Sequence, residues 1–245
     1  MFNALLEHPQ VPALFPRPQR IKGVHYFDTR YHRGLAWYRS HFPTGASRRR
    51  WERTVGAPAV VGEASPYYLF HPLAAERAGR DLPHARIIVL LRNPVDRAFS
   101  HYRERVRHGV ETLSFEEALA REPDRLRGEE ERLTGGDRRP SVAHEHLSYV
   151  AQGRYADPLA RWLARYPLER ILVLRSEEFY GDPLSAYRRV TGFLGLEPFE
   201  PPKLNRYNYH AGPAMDPATR ARLLELFAPE NERLAALVDL DEWSR

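Results

Sequence analysis

The residues best placed to do chemistry are Arg92-Asn93-Pro94-Val95-Asp96-Arg97, which follow the most apolar run of the chain, Ile87-Ile88-Val89-Leu90-Leu91. Asn93 suits a helix N-cap, Pro94 the first helical position, and Asp96 the positive end of the helix dipole. A guanidinium at a strand end beside a capped helix N-terminus makes an anion site, because paired N–H donors and a partial positive charge converge there. Ser100 lies two helical turns further on, where its hydroxyl can donate to a phosphate oxygen. The alternative is that Arg92 pairs with a carboxylate and Ser100 faces its own backbone. Two further strand ends carry polar groups, His25 to Asp28 and Glu63-Ala64-Ser65. Ligands of open parallel sheets sit beyond such ends.

Other chemistries are excluded or weak. The chain has no cysteine, which removes disulfides, thiolate metal sites and thiol nucleophiles. It has no Walker A, dinucleotide-binding glycine or G-x-S-x-G element, which argues against kinases, dehydrogenases and hydrolases. His144-Glu145-His146 makes a poor metal pair, since positions i and i+2 of a helix point apart. Trp37, Tyr38 and Phe42 read as core rather than as sugar-stacking residues, and Arg48-Arg49-Arg50 as a solvated face.

The elements that must position these groups alternate between strand and helix. Strands are expected at Val24 to Phe27, Ala59 to Gly62, Arg86 to Leu91 and Arg170 to Leu174. Helices are expected at Phe2 to Glu7, Pro72 to Leu82, from Pro94 through Val106, Leu113 to Thr134, Pro158 to Tyr166, Leu184 to Leu194, Thr219 to Phe227 and Asn231 to Val238. The pattern predicts an α/β fold with a central, mostly parallel sheet flanked by helices. No Pro- or Gly-rich break is long enough for a linker, so residues 1–245 read as one domain.

Hydrophobic residues make up 42% and charged residues 28% of the sequence, an ordinary balance for a globular protein. The longest aliphatic run is far short of the ~20 residues of a membrane span, and no secretory signal is visible, so a soluble, cytoplasmic protein is expected. The formal net charge of +5 is almost entirely arginine, Lys22 and Lys203 being the only lysines. That charge is dispersed among acidic residues and no reader motif accompanies it, which argues against nucleic acid as a partner.

Ile88 to Tyr102 resembles the 3′-phosphate-binding segment of sulfotransferases that use 3′-phosphoadenosine-5′-phosphosulfate (PAPS). Lys22-Gly23-Val24-His25-Tyr26-Phe27-Asp28, continuing through His32 to Tyr38, resembles the acceptor-side segment of the heparan sulfate sulfotransferases and their bacterial relatives. Gly62-Glu63-Ala64-Ser65-Pro66-Tyr67-Tyr68, Gly153-Arg154-Tyr155 with the helix after it, and Phe193-Leu194-Gly195 are similar to later family segments in the same order. The resemblance implies a P-loop-NTPase-like sulfotransferase architecture and transfer of a sulfuryl group from PAPS to a hydroxyl or amine of a carbohydrate or small molecule, with no metal. It also implies that Arg92 and Ser100 hold the 3′-phosphate, with His25 at the acceptor and Asp28 beside it. Arg206, in Lys203-Leu204-Asn205-Arg206-Tyr207-Asn208-Tyr209, is the nearest match to the family's basic closing loop, although the spacing to Met215 is longer than usual.

Two departures bear on activity. The family opens with a strand and a Gly-Thr-rich loop whose lysine cradles the 5′-phosphosulfate; Met1 to Leu6 resembles the helix just after that loop. The expectation is that strand and loop are missing from the chain as written, that an in-frame Lys-x-Gly-Thr-Thr-like segment lies upstream, and that the chain alone transfers little. The alternative is a catalytically inactive relative that binds a PAP-like nucleotide or a protein partner. In addition, Gly23 stands where many animal relatives carry a glutamate base, which leaves His25 or Glu63 for that role.

Overall fold

The computed structural model describes residues 1–15, 22–202, 204 and 214–238. The elements in chain order are helices α1 (Phe2–Leu5), α2 (Gly34–Arg39), α3 (Gly45–Val55) and α4 (Ala74–Asp81), strand β1 (Ile87–Leu91), helices α5 (Pro94–Arg107), α6 (Phe115–Leu126), α7 (Glu129–Thr134), α8 (Val142–His146) and α9 (Ala156–Leu163), strand β2 (Ile171–Arg175), and helices α10 (Ser176–Gly181), α11 (Pro183–Leu194) and α12 (Pro217–Ala235). Short 3-10 turns at Tyr31–Arg33, Pro66–Tyr68 and Ala151–Gly153 join them. Among the described residues, no helix is long and apolar enough to cross a membrane.

β1 and β2 pair in parallel with Ile87 opposite Ile171 and Leu91 opposite Arg175. Both strands therefore end at the same level, and their carboxyl ends are tied together. The Ser176 hydroxyl donates to the Leu91 carbonyl at 2.6 Å, and the Asn93 N–H donates to Glu177 Oε1 at 2.8 Å. Asn93 in turn caps α5, its side chain accepting from the N–H groups of Val95 and Asp96. This cap, with Pro94 at the first turn, launches α5 directly from the strand end.

Two cores lie on either side of that launch point. In the larger, Val89 and Leu91 of β1 meet Tyr26, Phe27, Tyr38, Leu159, Trp162 and Tyr166, with the Tyr26 and Tyr38 rings stacked at 4.8 Å. In the smaller, Val95 and Ala98 of α5 pack on Phe115, Tyr149, Leu223 and Phe227.

The expected β1, α5, β2 and α11 form within two residues of their anticipated bounds. Val24 to Phe27 and Ala59 to Gly62 do not form strands. Beside them, a single Ala64 N–H to Lys22 carbonyl bond of 2.9 Å joins the two stretches. The chain then turns at His25 (φ 55°), which lets the adjacent Tyr26, Phe27 and Asp28 all become buried, an arrangement strand alternation does not give. The long helix expected at 113–134 divides at Gly128 (φ 75°), whereas the two expected C-terminal helices are one, α12, which continues through Pro229 and buries Leu223, Phe227 and Leu234. α3 carries no apolar stripe and buries no residue, so periodicity gave no sign of it.

Gly153 is where helix α5, helix α12 and the turn before α9 come closest. A Cβ there would lie 2.8 Å from Phe227 Cζ and 3.2 Å from Pro94 Cβ. Phe227 is fully buried and has no room to withdraw. Gly153→Ala is expected to cost about 1–3 kcal/mol, the usual penalty of overpacking, read as a lowered urea midpoint at unchanged slope. A midpoint equal to wild type would show that this contact yields freely.

Candidate functional site

The turn that bears His25 is built on a half-buried carboxylate. Glu63 Oε2 accepts the Val24 N–H at 2.8 Å and the Ser65 hydroxyl at 2.6 Å, and Oε1 accepts the Tyr68 hydroxyl at 2.6 Å. Ser65 Oγ accepts the His25 N–H at 3.0 Å, and Tyr68 OH accepts the Tyr26 N–H at 2.7 Å. From the other side, Arg77 donates to the carbonyls of Phe27 and Asp28, each at 2.8 Å, and Arg30 donates to the Val24 carbonyl at 3.1 Å. Gly23 completes the fit: a Cβ there would lie 2.6 Å from Ser65 Oγ and 2.7 Å from the Ala64 carbonyl, so this backbone leaves no room for a side chain. Burial raises the Glu63 pKa, while the donors of Ser65, Tyr68 and Val24 pull it down.

On this frame His25 Nδ1 meets Asp28 Oδ2 at 2.8 Å, with the imidazole about one-third exposed (32%) and the Asp28 side chain fully buried (0%). The Asp28 carboxylate accepts the Nδ1–H hydrogen bond, which fixes the tautomer of the neutral ring and leaves Nε2 as its acceptor nitrogen. The hydrogen bond to Asp28 raises the His25 pKa against the opposing effect of burial, and the charges of Asp28, Glu145 and Glu63 raise it further. Of the two bases weighed from sequence, His25 keeps a ring nitrogen as acceptor, whereas Glu63 has both oxygens engaged in holding the turn.

Arg92 stands just past the carboxyl end of β1, with its carbonyl accepting the Tyr155 hydroxyl at 2.9 Å. Its side chain is exposed and makes no ion pair among the described residues; the Ser100 hydroxyl on α5 is likewise exposed, with no hydrogen bond to a described residue. Eight positions separate the two, about 12 Å at 1.5 Å per residue of helix. Arg206 and Lys203 lie outside the described residues.

Sequence reasoning missed one neighbour of His25. Glu145, on the short helix α8, is half-buried and close enough for its charge to act on both His25 and Asp28. Its neighbours turn elsewhere. His144 Nδ1 meets Tyr67 OH at 2.7 Å, and burial lowers its pKa to about 4. His146 Nδ1 accepts from Arg105 at 3.1 Å. The described residues contain no group of metal ligands, and the two histidines face different partners. A helix of five residues has too little periodicity to reveal which way Glu145 points.

Comparison with known proteins identifies this architecture. The sulfotransferase domain family matches residues 3–211. The chain is 32% identical over 199 residues to heparan sulfate glucosamine 3-O-sulfotransferase 3B1 of Mus musculus, covering 80% of this chain and 43% of that protein. It is 27% identical over 199 residues to bifunctional heparan sulfate N-deacetylase/N-sulfotransferase 2 of Bos taurus, covering 78% of this chain and 20% of that one. Among solved structures, a sulfotransferase from Alicyclobacillus acidocaldarius superposes with a TM-score of 0.69 at 33% identity, covering 98% of this chain and 90% of that one. The chain belongs to the sulfotransferase domain family and has its α/β fold. It spans less than half the length of the curated relatives named here.

The His25–Asp28 pair makes stability depend on pH. A histidine whose pKa is raised on folding contributes stability that is full below its unfolded value, about 6.5, and is lost as pH rises through the folded value. Asp28→Asn is therefore expected to lower stability more at pH 5.5 than at pH 8.5 in urea titrations. A loss independent of pH would mean that the pair does not carry the titration.

Proposed function

We propose that this protein transfers a sulfuryl group from PAPS to a hydroxyl or amine of a carbohydrate acceptor. The observation that carries this is the pairing of an unengaged cationic strand end, Arg92 ahead of the capped α5, with an imidazole whose Nδ1 is committed to Asp28. The names of the relatives, which sulfate glucosamine units of heparan sulfate, support a carbohydrate acceptor.

PAPS would place its 3′-phosphate between Arg92 and Ser100, where the guanidinium and hydroxyl donate to its oxygens and the N-terminus of α5 adds a favourable dipole. In the reaction the acceptor oxygen or nitrogen bonds to sulfur while the bond from sulfur to the 5′-phosphate oxygen breaks. The bonding electron pair leaves with that oxygen, giving adenosine 3′,5′-bisphosphate. His25 Nε2 takes the acceptor proton, and Asp28 stabilises the imidazolium that forms. Negative charge accumulates on the leaving oxygen, so donors at the nucleotide end carry much of the catalysis.

Two measurements test the assignment. Arg92→Ala is expected to weaken adenosine 3′,5′-bisphosphate binding by about 1.5–3 kcal/mol in calorimetry, the cost of a hydrogen bond to a charged group. Equal affinity in the two proteins would remove Arg92 from the site. In a version of the chain that carries the 5′-phosphosulfate loop, with radiolabelled PAPS and a glucosamine oligosaccharide, His25→Ala is expected to lower kcat by about 10²–10⁴-fold. Retention of more than about a tenth of the wild-type rate is incompatible with a general base at this position.

A further inference from the structure

Three carboxylates surround His25, and two of them are already engaged. Asp28 accepts from His25 and from the N–H and hydroxyl of Thr29. Glu63 accepts from Val24, Ser65 and Tyr68. The third, Glu145, is half-buried, and among the described residues no donor comes within hydrogen-bond reach of its carboxylate.

The placement of Glu145 is built into the fold. Ser141 caps α8 by accepting the His144 N–H at 3.0 Å, and Gln152 donates to the Glu145 carbonyl at 2.9 Å. His144 is bonded to Tyr67, which lies two residues beyond the Ser65 that holds His25. One short segment, Glu63 to Tyr68, therefore anchors both the turn bearing His25 and the helix bearing Glu145. The other charged groups around this space are Asp28 in the turn, Arg30 just after it, Glu63 beneath it, and Arg105 on α5 with its partner His146. Partial burial of a carboxylate with no donor is unfavourable, and a ligand that brings its own O–H or N–H relieves that cost.

We propose that Glu145 is an acceptor-binding residue: its carboxylate receives a hydrogen bond donated by a hydroxyl or amine of the acceptor and holds the reacting group against Nε2 of His25. The proposal rests on the sulfuryl-transfer reading and narrows it to acceptors rich in donors at the reacting sugar. In the transfer step the proton passes to His25, and Glu145 remains an unprotonated hydrogen-bond acceptor throughout.

The test compares wild type, Glu145→Gln and Glu145→Asp as full chains, with a glucosamine oligosaccharide as probe and adenosine 3′,5′-bisphosphate present. Oligosaccharide affinity, measured by calorimetry, is expected to fall about tenfold or more in Glu145→Gln and to recover in part in Glu145→Asp, while nucleotide affinity stays at the wild-type value. In PAPS turnover the same loss should enter chiefly through KM for the oligosaccharide. The His25 ring should titrate at lower pH in Glu145→Gln when followed by NMR. Oligosaccharide affinity within about twofold of wild type would overturn the proposal, as would an equal loss of nucleotide affinity, which would mark a purely structural residue. A protein that carries the 5′-phosphosulfate loop and binds the oligosaccharide through Glu145 but transfers nothing would refute the transfer reading and leave the acceptor site standing.

Discussion

The half-buried Glu63 carboxylate, both of whose oxygens are engaged, is the constraint on which the His25 turn depends. A charged group at that depth is tolerable only when donors surround it, and here a backbone N–H and two side-chain hydroxyls converge on it. Each of those donors belongs to a part of the site. Val24 precedes His25, Ser65 holds the His25 amide, and Tyr68 supports Tyr26. Gly23 is small because the Ser65 hydroxyl and the Ala64 carbonyl occupy the space a side chain would need. The imidazole is thus aimed by groups that take no part in its chemistry.

At the carboxyl end of β1 the organising device is different. Strands β1 and β2 end together, and Ser176 and Glu177 tie the start of α10 to the last carbonyl of β1 and to the Asn93 amide. The Arg92 carbonyl is held by the Tyr155 hydroxyl, while the exposed guanidinium makes no ion pair among the described residues. The two ends also differ in sign. Around His25 the carboxylates Asp28, Glu63 and Glu145 dominate its electrostatics, whereas β1 runs out into Arg92. On the proposed reading, a donor substrate carrying several negative charges would be drawn to one end, and an acceptor that offers O–H or N–H groups would suit the other.

The carboxyl end of β1 was the more legible part of the sequence, because its signals are local. Five consecutive aliphatic residues, a capping Asn and a Pro at the first helical turn specify β1 and α5 within a dozen positions. The His25 turn is assembled from afar. Val24-His25-Tyr26-Phe27 has strand composition, yet the turn at His25 is dictated by Ser65, Tyr68 and Arg77, some forty to fifty residues away. Asp28 entered as part of a polar strand end, and its place beside His25 came only through the family resemblance. Glu145 was invisible because it approaches His25 from 120 positions away in sequence on a helix too short to display a face. The fused α12 was misread for a simpler reason: Pro229 looks like a stop, but the face that buries Phe227 and Leu234 carries the helix through it.

The left-handed backbone of His25 bears on how this chain can drift under mutation. At φ 55° a residue with a Cβ is held in a region that glycine enters without steric penalty. Judged by conformation alone, glycine suits the position better than histidine, and asparagine is also well tolerated there. Replacing the imidazole would relax the turn but leave the fully buried Asp28 carboxylate without its ring partner. The turn therefore holds local backbone strain against a buried hydrogen bond, and a glycine at this position would exchange one cost for the other.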